Sequence, residues 1–305
     1  MKFHLISALL IGFLACTMAF AADSNVCQKT SQAALRSCNR GAQSDYWQRV
    51  GTCDNIPGWG KRRQCNETAA AEAKDAFDEC KSQLSGRQQA CRRLGGEAYD
   101  PVIDPANFST EIDNPYFPLK PGTIFIYEGK TPDGVEHNEV AVTRKTKVIL
   151  GVTCVEVHDT VRVNGELTEN TLDWYAQDKE GNVWYFGENS EELSEGLVVS
   201  LEGSWTAGVD GAKPGIIMEA HSVVGDFYRQ EFSLGTAEDL AAVVGLDKTV
   251  SVPAGSFHHS LETEETTPLE PGAREHKFYA QGVGNTLTVD LVTGERLRLI
   301  QIKTE

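Results

Sequence analysis

Hydrophobic and polar residues alternate over long stretches of the second two thirds of the chain. Between Val155 and Val163, valines occupy four of the five alternate positions, with polar residues between them. This two-residue period predicts an antiparallel strand with one face buried and the other in water. Asn164-Gly165 follows directly and predicts a tight hairpin turn, and a second turn is predicted at 178–182. These signals favour a meander of antiparallel strands.

The same alternation recurs often enough to indicate the class of sheet. Together with the strands around the two turns, the number of strands exceeds ten, and twisted open sheets of that size curl or close. We therefore expect a curled or barrel-like sheet. One short helix is predicted at 236–244, where acidic residues precede Ala-Ala-Val-Val. Further strands are predicted at 123–128, 139–150, 197–201, 249–252, 256–262, 275–280, 286–292 and 296–303.

Six cysteines between residues 27 and 91 form a symmetric series. Their successive spacings are 11, 15, 12, 15 and 11 residues, so the outer, middle and inner pairs are all centred on residue 59. At about 100° per residue, these spacings keep the three cysteines of each arm on one face of a helix. Six cysteines allow fifteen pairings. The symmetry favours the nested one, in which the disulfides are Cys27–Cys91, Cys38–Cys80 and Cys53–Cys65.

A helical hairpin is the structure that this pairing requires. Residues 54–60 contain one proline and two glycines, which stop the first helix and allow the chain to reverse. The plan resembles the twin-cysteine (CHCH-type) helical hairpins, from which it differs by a wider cysteine spacing and a third pair. Zinc binding by the same thiols is the rival interpretation, but the chain lacks the C-x₂-C spacing typical of structural zinc sites.

The first residues have the pattern of a secretory signal peptide. Lys2 precedes the apolar run Leu5–Ala15, and Ala19-Phe20-Ala21 fits a signal-peptidase site, so we predict a signal peptide at 1–21. A lipid anchor at Cys16 is the competing interpretation, which is disfavoured because the residues before Cys16 fit a lipobox poorly. We expect a secreted or periplasmic protein with disulfides and without a transmembrane segment.

Charge divides the chain near residue 100. Residues 22–99 carry 12 basic and 9 acidic side chains, whereas residues 100–305 carry 15 and 35. Four prolines at 101–118 are typical of an extended linker or strap. We predict an α+β multidomain protein: a six-cysteine helical hairpin at 22–99, a proline-rich linker at 100–121 and an antiparallel β domain at 122–305. The net charge of −16 argues against nucleic acid as a partner.

Turn and strand motifs recur in the β part at Gly122–Glu128, Trp174–Asp178, Gly181–Glu188, Val252–Phe257 and Tyr279–Gly284. Together they resemble an uncharacterised family of exported bacterial β-rich proteins, over roughly residues 105–300. The resemblance implies a bacterial envelope or secreted protein built on a meandering sheet. It assigns no activity, since these motifs carry no catalytic residues.

Four aromatic residues flank one predicted hairpin turn and form the candidate ligand-binding surface: Trp174, Tyr175, Trp184 and Tyr185. One face of this hairpin could form a wall for an apolar or sugar-like ligand. Core packing and cross-strand stabilisation are the alternative, because aromatic residues are common in strands.

One candidate metal site lies on a single strand. Cys154, Glu156 and His158 alternate onto one side, where a thiol, a carboxylate and an imidazole could hold copper or zinc with help from a third element. A free buried cysteine beside solvated polar residues is the alternative.

Histidines supply a second candidate metal site. His258 and His259 point to opposite faces of their strand, and His259 could pair with His276 on the partner strand. Met218 and His221 could add ligands from a loop. Solvated histidines are the alternative, because no recognised metal-binding spacing occurs among them.

Acidic residues are abundant, and a pair about 5 to 9 Å apart would suit glycoside hydrolysis. Solvated clusters are again the alternative. The chain lacks G-x-S-x-G, P-loop, G-x-G-x-x-G and C-x-x-C motifs, which disfavours the enzyme classes that use them. The carboxylates considered are Glu188, Glu191, Glu192, Glu195, Glu231, Glu238, Asp239, Glu262, Glu264 and Glu265.

Two functions follow as hypotheses. The first is an exported, non-enzymatic binding or interaction protein for a small apolar ligand or a protein partner, with the β domain as scaffold and the hairpin as docking module. The alternative is an exported carboxylate- or metal-dependent hydrolase. No cofactor is predicted apart from the metal ion considered above.

Overall fold

The computed structural model describes residues 25–304. The predicted signal peptide at 1–21, its cleavage site and Cys16 lie outside the described residues. Within them, two long helices with disulfides are followed by a large antiparallel sheet that is nearly barrel-shaped. The predicted fold class is confirmed.

The helical part is a hairpin of α1 (Val26–Asp54) and α2 (Trp59–Leu94). Its three disulfides have Cα separations of 5.8 Å for Cys27–Cys91, 5.7 Å for Cys38–Cys80 and 5.5 Å for Cys53–Cys65. The nested pairing is therefore confirmed.

The hairpin has too small an apolar interface to be held by packing alone. Its buried hydrophobic residues are alanines and cysteines, and small side chains let the helices approach to disulfide distance. Each disulfide contributes roughly 2 to 4 kcal/mol by restricting the unfolded chain. Covalent links are thus the main support of this element.

The β part contains sixteen strands within residues 25–304. They are β1 (Phe108–Ser109), β2 (Thr123–Thr131), β3 (Gly134–Ile149), β4 (Val152–Val163), β5 (Glu166–Asp178), β6 (Val183–Ser194), β7 (Leu197–Ser200), β8 (Trp205–Thr206), β9 (Lys213–Met218), β10 (Phe227–Arg229), β11 (Glu231–Phe232), β12 (Leu240–Val252), β13 (Gly255–Thr266), β14 (Arg274–Ala280), β15 (Gly284–Asp290) and β16 (Arg296–Thr304).

The sheet closes through one short stretch of chain. Its strand order is β10-β12-β13-β14-β15-β16-β2-β3-β4-β5-β6-β9-β11, with every pair antiparallel. β10 and β11 therefore stand at opposite ends of this order, yet only Gln230 separates them along the chain. Because this stretch pairs with β12 on one side and with β9 on the other, it joins the two edges of the sheet.

The predicted Asn164-Gly165 turn is confirmed. Asn164 has a φ of 52° and Gly165 a φ of 89°, as a two-residue hairpin turn of the favoured type requires. The turn pairs Val163 with Glu166, so β4 and β5 are adjacent in the sheet.

The helix predicted at 236–244 is wrong. Residues 233–237 form a turn that is closed by a bridge between Ser233 and Ala237, and β12 begins at Leu240. From Leu240 onward this segment pairs with β10 and β13, so tertiary pairing outweighs the local helix preference of Ala241 and Ala242.

Apolar side chains fill the barrel interior towards one end. The strap, residues 108–121, covers this end, and its Asn114 amide donates to the carbonyls of Gly181 and Glu219 in two end loops. The buried core members are Ile112, Leu119, Phe125, Tyr127, Val142, Val155, Val157, Val183, Met218, Leu261, Tyr279 and Leu299. The predicted linker thus contributes Ile112 and Leu119 to the core of the β part.

The helical hairpin packs over the opposite end of the barrel through α2. The Arg87 guanidinium binds both carboxylate oxygens of Glu238 at 2.8 to 3.1 Å, and these side chains are only 5% and 2% exposed. The amide of Gln83 donates to the carbonyl of Leu269 at 3.0 Å. The hairpin is therefore docked on its own β part by a buried, charge-assisted contact.

We expect Arg87→Met to lower the free energy of unfolding by about 3 to 5 kcal/mol, because Glu238 would remain buried without its partner. The double variant Arg87→Met/Glu238→Met should recover much of that loss, since both charges are gone. Urea unfolding of the disulfide-intact protein at pH 7 measures both values.

The control is Arg49→Met, which breaks the exposed ion pair with Glu72 on the hairpin. That change should lower the free energy of unfolding by less than about 1 kcal/mol. A loss for Arg87→Met no larger than that of the control would contradict the role given to the buried pair.

Candidate functional site

The inner face of the barrel changes from apolar to acidic along β4 and β5. Val155 and Val157 belong to the apolar core, and Asp159 is the next residue on the same face. Strand β5 runs antiparallel to β4, so Asp173 lies beyond Tyr175 on the side of the helical hairpin. Asp173 pairs with Glu188 of β6. The end of the barrel that faces the helical hairpin is therefore lined with carboxyl groups.

A cavity of about 1070 Å³ lies between this acidic end and the hairpin, and we call it the chamber. The hairpin lines it with Ala33, Ala34, Ser37, Gln83 and Arg87, beside the Cys38–Cys80 disulfide. Nine acidic residues face three basic ones, Arg87, Arg274 and Lys277. The acidic residues are Glu188, Glu192, Glu202, Glu231, Asp239, Glu265, Glu270, Glu275 and Asp290.

Carboxyl groups on the β4–β6 side of the interior hold protons more tightly than usual. Burial, followed by repulsion from neighbouring carboxylates, raises the pKa of Asp159 to about 8. Burial raises the pKa of Asp173 to about 7, although the Tyr185 hydroxyl donates to it at 2.5 Å. Burial likewise raises the pKa of Glu188 to about 7. Near neutral pH these groups are poised between their acid and carboxylate forms.

On the opposite wall of the chamber, two further acidic residues have raised pKa values. Glu231 accepts a hydrogen bond from the Trp205 indole at 2.8 Å, and burial raises the pKa of this carboxyl well above its ordinary value. Burial also raises the pKa of Asp239. The side-chain donor to Glu231, the Trp205 indole, is neutral, so it offsets the burial of a charge only in part.

Lys277 provides the contrasting arrangement within the same chamber. Its ammonium lies 2.8 Å from Glu265, which also accepts from the Tyr279 hydroxyl at 3.0 Å. Burial alone would raise the pKa of Glu265, but the charge and hydrogen bond of Lys277 bring it below its ordinary value. The Lys277 ammonium, together with hydroxyl donors from Thr263 and Tyr279, thus keeps a buried carboxylate of this chamber ionised.

Arg87 adds a donor that the protein does not use. Its Nε and Nη2 bind Glu238, whereas the buried Nη1 has no hydrogen-bond partner within residues 25–304. Arg87 also lines the chamber, so its guanidinium is one of the three basic groups beside the acidic wall.

The four predicted aromatic residues lie on two faces of the sheet. Tyr175 and Tyr185 stack on the inner face with ring centroids 4.7 Å apart. Trp174 lies on the outer face, under the Lys147 ammonium at 3.3 Å, and Trp184 donates to Asp178 at 2.8 Å. The structure therefore brings the two tyrosines together but not the two tryptophans with them.

The three candidate metal ligands on β4 are either buried or bound to other side chains. Cys154 is fully buried, and burial raises the pKa of its thiol to about 12. Glu156 accepts from the Thr143 hydroxyl, and the His158 ring lies 2.7 Å from the Asn170 amide oxygen.

The histidine candidates are also separate. His259 binds Asp247 at 2.6 Å in an irregular part of β13. His276 binds Glu262 at 2.8 Å. In the sheet, His276 pairs with Glu264, which lies five residues beyond His259 on β13. Met218 is buried in the apolar core and His221 is exposed. Across residues 25–304, no three His, Cys, Asp or Glu side chains are grouped so that they could hold a metal ion.

Several of the acidic residues considered from sequence do meet. Glu188, Glu192, Glu231, Asp239 and Glu265 all line the chamber, whereas Glu238 pairs with Arg87. Sequence reasoning missed three interior groups, which are Asp159, Asp173 and Lys277. A signal for Asp159 was present, because it is the acidic residue that interrupts the valine alternation of β4.

Comparison with known proteins assigns the chain to no family. No family model matches the chain, and no curated protein matches it. The chain is similar to a solved structure described as a "putative lipoprotein" from Parabacteroides distasonis ATCC 8503, with 11% identity and a TM-score of 0.35 over 62% of this chain and 99% of that one. At this level the similarity carries no argument, and the family resemblance stays a prediction.

The structure bears on location in two ways. Its three disulfides fit an extracytoplasmic location. In the part of the chain that the structure describes, neither helix is long and apolar enough to span a bilayer.

The raised pKa of Asp173 predicts a pH-dependent stability. The folded state keeps a proton on Asp173 up to about pH 7, whereas the unfolded state releases it near pH 4, so rising pH destabilises the fold between these values. Asp173→Asn removes this effect. We expect the free energy of unfolding of the variant, minus that of the wild type, to increase by up to about 4 kcal/mol between pH 4 and pH 8.

Urea unfolding at four pH values across this range measures the difference. The matched control is Asp133→Asn, an exposed aspartate in the β2–β3 turn, whose difference from the wild type should stay constant. Parallel curves for Asp173→Asn and the wild type would show that Asp173 does not titrate as described.

Proposed function

We propose that the protein is an exported binding protein whose β part holds a small organic cation in the chamber, beneath the docked helical hairpin. One observation carries the proposal. Carboxyls that line a cavity of about 1070 Å³ have raised pKa values, and the side-chain donor to one of them, Glu231, is the neutral Trp205 indole, so the chamber can accept additional positive charge.

An internal comparison supports the choice of ligand charge. Where the chamber contains the ammonium of Lys277, the pKa of Glu265 is lowered; at Glu188, burial and neighbouring carboxylates raise the pKa to about 7. A ligand ammonium near Glu188 and Glu231 would do there what Lys277 does for Glu265. Binding would then draw protons off these carboxyls.

Size and chemistry favour an organic cation over the other classes. The volume is that of a small-molecule site and far exceeds that of a metal ion. The small apolar ligand expected from sequence would desolvate the carboxyls without replacing their hydrogen bonds, which is unfavourable.

The test compares two molecules of the same length. Putrescine carries two ammonium groups, and 1,4-butanediol carries hydroxyls in their place. Isothermal titration calorimetry at pH 8 and low salt should show binding of putrescine and none of the diol. The affinity for putrescine should fall as pH is lowered from 8 to 6, because Glu188 becomes protonated through its pKa of about 7.

Variants locate the site. We expect Glu188→Gln and Glu231→Gln each to weaken putrescine binding by about tenfold, in line with the loss of one charge-assisted hydrogen bond. Glu111→Gln, which changes an exposed carboxylate of the strap at the other end of the barrel, should bind as the wild type does. Equal affinity for the diamine and the diol, or no effect of either chamber variant, would overturn the proposed function.

A further inference from the structure

The turn of the helical hairpin carries an exposed apolar and aromatic surface. We call residues 53–65 the tip. Trp59, the first residue of α2, is 75% exposed. The exposed Pro57 and the half-buried Ile56 in the turn extend this surface. Trp59 is thus largely open to solvent, although tryptophan is highly buried on average in folded proteins.

Basic residues follow directly after Trp59. Lys61, Arg62 and Arg63 occupy the first turn of α2, which contains no acidic residue. The amino end of a helix carries partial positive charge, so three cations there disfavour the helix. Arg63 lies over the Trp59 ring at 5.6 Å and pairs with Glu67 one turn further along α2 at 2.8 Å. This pair and the hydrogen bond from Arg62 to the Ile56 carbonyl offset the unfavourable dipole interaction only in part, so the helix dipole does not favour the cluster.

The tip is rigid and stands far from the acidic body. The Cys53–Cys65 disulfide joins the two arms next to the turn. Gln83, which donates to Leu269 of the barrel, is 24 residues from Trp59, or about 36 Å at 1.5 Å per residue. Electrostatic interactions are screened over about 8 Å at physiological salt, so the tip is shielded from the charge of the body.

Charge is segregated between these two regions. The tip holds three basic residues and one acidic residue, whereas residues 100–305 hold 15 basic and 35 acidic ones. An anionic surface would repel the body and attract the tip. The protein can therefore approach such a surface in one orientation only, with the hairpin end first.

We propose that the tip binds the anionic headgroup surface of a lipid bilayer, with Trp59 at the level of the headgroups and Lys61, Arg62 and Arg63 on their charges. Tryptophan prefers this interface, and basic residues add to the attraction. A convex helix end suits a fluid bilayer, whereas a stable protein partner needs about 800 Å² on each side. The inference is independent of the ligand in the chamber.

Vesicle co-sedimentation with the full disulfide-bonded chain tests the proposal. At low salt, we expect binding to vesicles containing phosphatidylglycerol and much weaker binding to pure phosphatidylcholine vesicles. The triple variant Lys61→Gln/Arg62→Gln/Arg63→Gln should lose about 100-fold in affinity, from about 1 kcal/mol per basic residue near the surface. Trp59→Phe should abolish the blue shift of tryptophan fluorescence that accompanies binding.

The control removes the same charge from the middle of the hairpin. Arg40→Gln/Lys74→Gln/Lys81→Gln changes three residues, of which Lys74 is 15 residues along α2 from Trp59, or about 22 Å. This variant should bind vesicles within about threefold of the wild type, since its charges lie beyond the screening length. Equal binding by both triple variants, or no binding to anionic vesicles, would overturn the proposal and favour an acidic protein as the partner.

Discussion

The buried ion pair between Arg87 and Glu238 is the contact on which the arrangement of the two parts depends. Both charges are nearly removed from water, so each is stable only with the other present. Glu238 lies between the closing stretch of the sheet and β12, and it also accepts from the Gly235 amide. One carboxylate therefore fixes the loop at the mouth of the barrel and the helix above it.

This placement determines the character of the chamber. With the hairpin docked, acids at this end of the barrel line a cavity between the sheet and the helices, and burial raises the pKa values of Glu188 and Glu231. The end covered by the strap is apolar instead, because Ile112 and Leu119 of the strap extend the apolar core. The barrel thus has one apolar end, closed by the strap, and one acidic end, which forms the chamber.

Local pattern predicted much of the fold. The mirror symmetry of the cysteines identified the three disulfides, and the alternation with Asn164-Gly165 identified the meander, because both depend only on the helix and strand periods. The helix expected at 236–244 failed for a reason that lies elsewhere in the chain. β13 and β10 flank that segment, and their hydrogen bonds decide its conformation.

The chamber could not be predicted in the same way. Its walls come from strands far apart in sequence, and which acids meet across a barrel depends on closure through Phe227–Phe232. Glu188 and Glu231 were among many acidic residues, with no local sign that they would share a cavity. Lys277 gave no signal either, because its role depends on Glu265, which lies diagonally across from it on the neighbouring strand β13.

The single unpaired cysteine of the β part has a consequence for oxidative folding. Thiol–disulfide exchange requires a thiolate as the attacking species. Cys154 is fully enclosed in the sheet, and burial raises its pKa to about 12. Once the barrel has formed, this sulfur is chemically silent and cannot reshuffle the three cross-links of the helices. The native pairing is thus protected by the fold of a part of the chain that contributes none of the six paired cysteines.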